Sequence, residues 1–295
     1  MDASAAAAQL LAKDPPSLSM VEDEVDAGEE EFSGGATEEF APGGESIGDF
    51  AAEVSDSPFS IRYFSILYGP SVRNPTSFQP TPEGLPDRDR PVLVKNHLTM
   101  GYDVSERLLI AGTLPFTWVP VQGQRFEVRD PYLRVGLDHL LRTDLLNYYA
   151  DLRVHFPVTK DSRNQDMLAS VQTFHVLTVT PGTRSNLSLD LFTSARANFF
   201  GDQGFGTDLE LYLAPELSYQ MTPTVGLTIL YEMGASHWFG DKPWLFRSDG
   251  TDLEPGISWD VSPSFNVHPY MNIFPSGSVS WDSTSVGLML NWKLL

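Results

Sequence analysis

From Pro58 onward, apolar and polar side chains alternate in short runs separated by Gly, Pro, Asn, Asp or Ser. A period of two sends successive side chains to opposite faces of an extended chain, so each run reads as a strand. Twelve such segments fall near residues 59–69, 91–104, 107–119, 130–141, 146–158, 167–180, 186–199, 208–221, 224–237, 252–262, 264–275 and 282–294. One sets Leu187, Leu189 and Leu191 against Ser188, Asp190, Ser194, Arg196 and Asn198. The next sets Leu209, Leu211, Leu213, Leu217 and Tyr219 against Glu210, Tyr212, Glu216, Ser218 and Gln220. No helical segment is expected between them. So many strands with nothing else predict an all-β fold, either a sandwich or a closed barrel.

The connections separate those two. DVSER (103–107), RTDL (142–145), TPGTRS (180–185), MTPT (221–224) and VSPS (261–264) are tight. Between them come longer ones, including GPSVRNPTSFQPTPEGLPDRDR (69–90), TKDSRNQD (159–166), FGDQGFGTD (200–208) and SHWFGDKPWLFRSDGT (236–251). Strict alternation puts every tight turn at one end and every long loop at the other, the asymmetry of a membrane-spanning barrel. A Greek-key sandwich would mix them. The aromatics agree. Tyr102, Tyr148, Tyr219, Trp259, Phe265 and Trp292 stand on the apolar face near the tight-turn ends of six strands, with Trp118 and Phe156 near the other end. Rings at fixed height predict the two interfacial girdles of a barrel in a bilayer.

The final segment, SVGLMLNWKLL (285–295), is the most specific. Val286, Leu288, Leu290, Trp292 and Leu294 are apolar at every second position. Residues 58–295 thus resemble the bacterial outer-membrane β-barrel proteins, in a porin-like form of about twelve strands. In that family the last strand is an insertion signal read by the barrel-assembly machinery. Leu295 stands where the family usually ends on Phe or Trp. The resemblance implies a transmembrane antiparallel up-and-down barrel in the outer membrane of a Gram-negative bacterium. Its last strand would close on its first, because an open edge in lipid leaves backbone groups unsatisfied. An even strand number brings both ends to the tight-turn side, which predicts a periplasmic location for residues 1–57.

Charge sharpens the division at residue 57. The chain carries −20 overall, yet residues 1–60 hold 15 of its 39 acids against the single base Lys13, a net of −14. The remainder carries only −6. An acidic stretch rich in Gly and Pro with few large apolar residues predicts disorder. Within it EEFSGG (30–35) and EEFAPGG (38–44) form a loose duplicate that presents Phe32 and Phe40, read either as spacer or as anchors for a periplasmic protein partner. No basic patch exists to engage nucleic acid. The opening MDASAAAAQLLAKDPPS lacks the basic and apolar regions of a secretory signal, so an exported barrel would carry it as a mature form. No stretch of 18 apolar residues offers a transmembrane helix. Cysteine is absent, which removes disulfides and thiolate metal sites.

By parity, the inward positions include Arg134, Asp138, Asp151, Arg153, His155, Asp190, Arg196, Glu210, Glu216, Glu232, Asp260 and His268. Both signs occur and acids dominate. Two readings stay open: a narrow water-filled pore, or a lumen filled by side-chain ion pairs. No catalytic motif is present, and the six His residues lack ligand spacing, so no enzyme, metal or cofactor is expected. GDQGFGTD (201–208) and SDGTD (248–252) hold carboxylates and glycines, but turn chemistry explains them better than calcium does. Trp238, Phe239, Trp244, Leu245 and Phe246 crowd one long loop, which could enter the lumen, lie on lipid headgroups or hold a partner.

The expected function is a porin-like channel for small hydrophilic solutes with weak cation preference. The alternative is a non-conducting anchor subunit of an envelope machine for secretion or surface motility, with residues 1–57 docking on other subunits. A third possibility makes that segment a plug, although its charge would be repelled by an acidic lumen.

Overall fold

A computed structural model describes residues 57–295, apart from 77–78, 80, 83–88, 122–123, 183–184, 243 and 278. The acidic segment, with Phe32 and Phe40, lies outside the described residues.

Among the described residues, fifteen strands run in chain order: β1 (Phe59–Ser71), β2 (Thr81–Pro82), β3 (Asp89–Arg90), β4 (Leu93–Ser105), β5 (Leu108–Val119), β6 (Arg125–Val128), β7 (Tyr132–Arg142), β8 (Leu146–His155), β9 (Met167–Val179), β10 (Leu187–Phe200), β11 (Thr207–Thr222), β12 (Val225–Trp238), β13 (Phe246–Ser262), β14 (Phe265–Asn272) and β15 (Ser285–Lys293). β2 and β3 pair only with each other, and β6 only extends the edge of β5 at the long-loop end. The other twelve pair antiparallel, each with its neighbours in sequence, and β1 closes the ring against β15. The fold is a closed twelve-stranded up-and-down antiparallel barrel.

Closure is regular through most of the seam. Arg62 to Tyr68 pair in register with Lys293 to Gly287. Beyond the ladder, Ile61 donates its N–H to the Leu295 carbonyl at 3.1 Å, and Leu294 donates back to Ile61 at 2.8 Å. The C-terminal strand therefore fills the last open edge.

Burial alternates along the strands, and its chemical sense is the reverse of a soluble protein's. On β7 Leu133, Val135 and Leu137 are exposed while Tyr132 and Arg134 are buried. On β8 and β12 the exposed Leu152, Leu227 and Ile229 flank the buried Asp151, Arg153, Thr228 and Glu232. Ile110, Leu114, Leu189, Leu211, Leu217 and Ile257 join the outward apolar surface. In water such a belt would drive aggregation, whereas a bilayer satisfies it. The alternation predicted from sequence thus has its greasy face outside.

Two local features differ from the sequence reading. β13 begins at Phe246, so all of SDGTD lies within a strand and not in a loop. Its extension pairs Ser248 with Ala235 and Arg247 with Ser236 beyond a bulge. A short helix, α1 (Lys160–Asn164), occupies the loop after β8, where Thr159 caps it by accepting from the Ser162 N–H. Asp130 accepts from the backbone N–H groups of Val158 and Thr159 and from the Ser162 hydroxyl. Neither feature carries a strong periodic signal in so few residues.

Candidate functional site

The inner wall divides into three sectors around the circumference. The first carries guanidinium groups. Arg134 on β7 and Arg153 on β8 are buried beside Asp151, whose side chain is wholly covered. Arg153 donates to both Asp151 oxygens, at 2.8 and 3.0 Å, and lies over the Phe174 ring at 4.5 Å. Tyr149 donates to Asp151 at 2.9 Å. Arg196 follows on β10, half-buried, donating to Ser170 at 2.7 Å and to Asn198 at 3.2 Å. Asn198 in turn donates to the half-buried Glu210 at 3.0 Å. His155, also buried, meets Gln172 at 2.9 Å.

The second sector is acidic. Asp190 on β10 and Glu216 on β11 are buried and directly opposite each other. Like charges at such a pair are unfavourable, and hydroxyls from Thr178 and Ser218 donate to them. Further round, Glu232 on β12 pairs across the ladder with Asp252 on β13, and Glu254 lies two residues beyond it. All three are buried, and one oxygen of each lies within 4.8 Å of the others. Tyr212 donates to Glu232 at 2.5 Å, and Asn272 donates to Glu254 at 2.5 Å.

The third sector, β14–β15–β1–β4–β5, is more apolar, and its Lys95 ammonium lies 5.0 Å over the Tyr68 ring. Ile66, Tyr68, Leu93, Val119, Tyr270 and Met289 make an inward apolar cluster there. On the opposite, outward parity of β1 and β4, the buried Asn96 accepts from Tyr63 at 2.6 Å and from Ser65 at 3.0 Å. His268 contacts Thr228 at 3.0 Å at the border with the acidic sector.

One long loop enters this interior. The β2–β3 hairpin lies in the connection between β1 and β4, and it carries Arg90 to the acidic wall. Arg90 is buried and donates to Asp252 Oδ2 at 2.9 Å. Its guanidinium lies 4.9 Å from the Tyr68 ring and 4.8 Å from the Phe274 ring. Two aromatic faces and a carboxylate are a strong seat for a guanidinium. Thr81 and Val92, in the same connection, are also buried.

Of the inward positions read from sequence, Arg134, Asp151, Arg153, His155, Asp190, Glu216, Glu232 and His268 are buried. Asp138, Arg196 and Glu210 are half-buried. Asp260 is exposed, at a cleft by the tight-turn end lined also by Arg62, Asn266, Asn291 and Lys293. Asp138 sits where the β7–β8 register breaks, near His139 at φ 52°. Three residues of the interior went unread: Arg90, Asp252 and Glu254. The last two share parity with Asp260, so alternation along β13 could have found them. Arg90 had no such signal, since no period marks a loop that folds back.

Of the aromatics expected at the girdles, Tyr102, Trp118, Phe156, Tyr219, Trp259 and Trp292 are exposed, while Tyr148 and Phe265 are half-buried. Phe59 meets Tyr102 edge-on at 5.0 Å, and Phe265 meets Trp292 likewise at 5.8 Å. In the aromatic loop after β12, Trp244 is 90% exposed, Phe239 packs on Phe200 and Trp238 lies against Arg247.

Solved structures with this fold exist. An outer-membrane channel from Pseudomonas putida F1 aligns with a TM-score of 0.53 and 11% identity, over 83% of this chain and 98% of its own. The NanC porin aligns at 0.45 and 8% identity, over 80% of this chain and all of its own. The KdgM porin gives 0.43 and 8%, over 80% and 99%. No protein-family model and no curated protein matches the sequence. The shared feature is the fold of an outer-membrane β-barrel.

Proposed function

We propose that this protein is a narrow porin-like channel in an outer membrane, passing small hydrophilic solutes with a preference for cations. The reading rests on the chemistry of the inner wall. A barrel held together only by its wall has no need for sorted charges inside. Here guanidinium groups occupy β7 to β10 and carboxylates β10 to β13, with acids in excess. Charge lining a low-dielectric passage concentrates counter-ions within it. Arg90 brings an external loop onto that wall and narrows the passage.

In this reading the long loops face outward, and residues 1–57 lie in the periplasm. The final strand would engage the assembly machinery. The acidic N-terminal segment also supports a second reading, an anchor barrel that docks envelope partners through Phe32 and Phe40, because a simple porin has no use for it.

Single-channel recording in planar bilayers separates the two, comparing the full chain with a version lacking residues 1–57. Steady conductance from both is expected. Conductance only after truncation would make the segment a plug. Silence from both, with the barrel folded and inserted, would overturn the channel reading in favour of the anchor.

A further inference from the structure

The acidic wall has a geometry that a passage lining alone does not require. The geometry points to a divalent-cation site formed by Glu232, Asp252, Glu254 and Asn272, selective for a hard, oxygen-preferring ion such as Ca²⁺. It stands whether or not the barrel conducts.

Four observations carry it. First, the three carboxylates come from two adjacent strands, and one oxygen of each lies within 4.8 Å of the others, the spacing of donors around one cation. Second, each carboxylate spends one oxygen on the protein: Glu232 Oε1 accepts from Tyr212, Asp252 Oδ2 from Arg90 and Asn272, and Glu254 Oε1 from Asn272. Among the described residues no hydrogen bond reaches the second oxygen of any of the three. Third, Asn272 is 1% exposed, and its amide nitrogen is bonded into the group, yet its Oδ1 has no hydrogen-bond partner. That oxygen sits on the same carbon as the bonded nitrogen, at the edge of the cluster. A buried amide oxygen without a partner is costly, and amide oxygens are ordinary ligands for calcium. Fourth, the charges do not balance. Among the described residues, the three buried carboxylates have one paired guanidinium, Arg90 on Asp252. The remaining two negative charges match one divalent ion.

The ligand set is all oxygen, with neither sulfur nor imidazole, so zinc and copper are poor fits. Magnesium demands stricter octahedral geometry than three side chains on two strands supply, which favours calcium. The site also has a structural consequence. Asp252 would share its two oxygens between the ion and Arg90, so the ion would fix the carboxylate on which the β2–β3 hairpin rests.

The test is calorimetry on the full chain, folded in detergent and stripped with chelator, titrated with CaCl₂ and separately with MgCl₂. The expected result is one saturable calcium site per chain with weaker magnesium binding. Glu254→Gln is expected to weaken it by about 10-fold or more, in the range seen when ligand shells are disturbed. Asn272→Ala, which removes no charge, is expected to weaken it by a smaller factor. Asp260→Asn, at the barrel mouth, leaves it unchanged. Should Glu254→Gln fail to fold, the wild-type titration and Asn272→Ala still decide. Absence of saturable binding to the folded wild type would overturn the proposal and leave two protons as the balancing charge. Calcium binding that survives both folded variants undiminished would overturn it equally, placing the ion elsewhere.

Discussion

At the scale of single residues, the interior is governed by who covers whom. Gly287 on β15 faces Tyr270 on β14, and its Cβ, if it had one, would overlap the Tyr270 ring. Gly136 stands in the same relation to Tyr149. A glycine in a strand leaves backbone uncovered, and an aromatic from the neighbouring strand lies over it. Gly287→Ala forces the ring off its seat, and overpacking of this kind costs about 1–3 kcal/mol. The expected outcome is a lower denaturation temperature for the folded barrel, followed by the mobility shift of heated samples on gels. At this scale the sequence was legible wherever parity held. Arg134, Asp151, Arg153 and Glu232 followed from alternation alone. Asp252 and Glu254 lie in the segment read as a strand over 252–262 and share the parity of Asp260, yet only Asp260 was singled out there. A run such as Ser248-Asp-Gly-Thr-Asp satisfies turn chemistry and strand pairing equally, and β13 takes the second because Phe246, Arg247, Ser248, Thr251 and Asp252 find partners on β12, with Asp249 and Gly250 left in a bulge.

At the scale of elements, the twelve strands were legible because each repeats one pattern over eight or more residues. The β2–β3 hairpin and α1 were not, because each is too short for a period to emerge. The hairpin matters most. Its hold on the wall rests on Arg90, between two rings and a carboxylate. Arg90→Ala leaves Asp252 buried beside Glu232 and Glu254 with its partner gone. Removing one member of a buried pair typically costs 3–5 kcal/mol, and loss of the hairpin's contact is the cheapest way for the loop to relax. The expected outcome is a larger and noisier single-channel conductance than wild type, with barrel closure intact because the ladders joining β1 to β4 and β15 do not include Arg90. Unchanged conductance would mean that this hairpin does not narrow the passage.

At the scale of the whole molecule, alternation tells a wall from a loop but not inside from outside. A sandwich and a membrane barrel write the same period of two. What separated them in the sequence was the ordering of short and long connections and the heights of the aromatics. The structure adds the chemical sense, with an apolar belt outward and most buried polar groups inward, Ser65 and Asn96 on the outward parity being exceptions. An inverted protein of this kind is stable only where its outer surface meets lipid, and in the channel reading its inner surface sets what crosses. Acids outnumber bases on that inner surface, and Arg134 and Arg153 already hold Asp151 between them. The charge left for a passing ion is therefore negative, on the sector of Asp190, Glu216 and Glu232. Under a potassium chloride gradient the reversal potential is expected to favour potassium over chloride, by up to about 10-fold. Glu216→Gln should reduce that ratio without closing the channel, since Glu216 lies away from the Arg90 hairpin's anchor. A reversal potential favouring chloride would show that the arginine sector, and not the carboxylates, faces the ion.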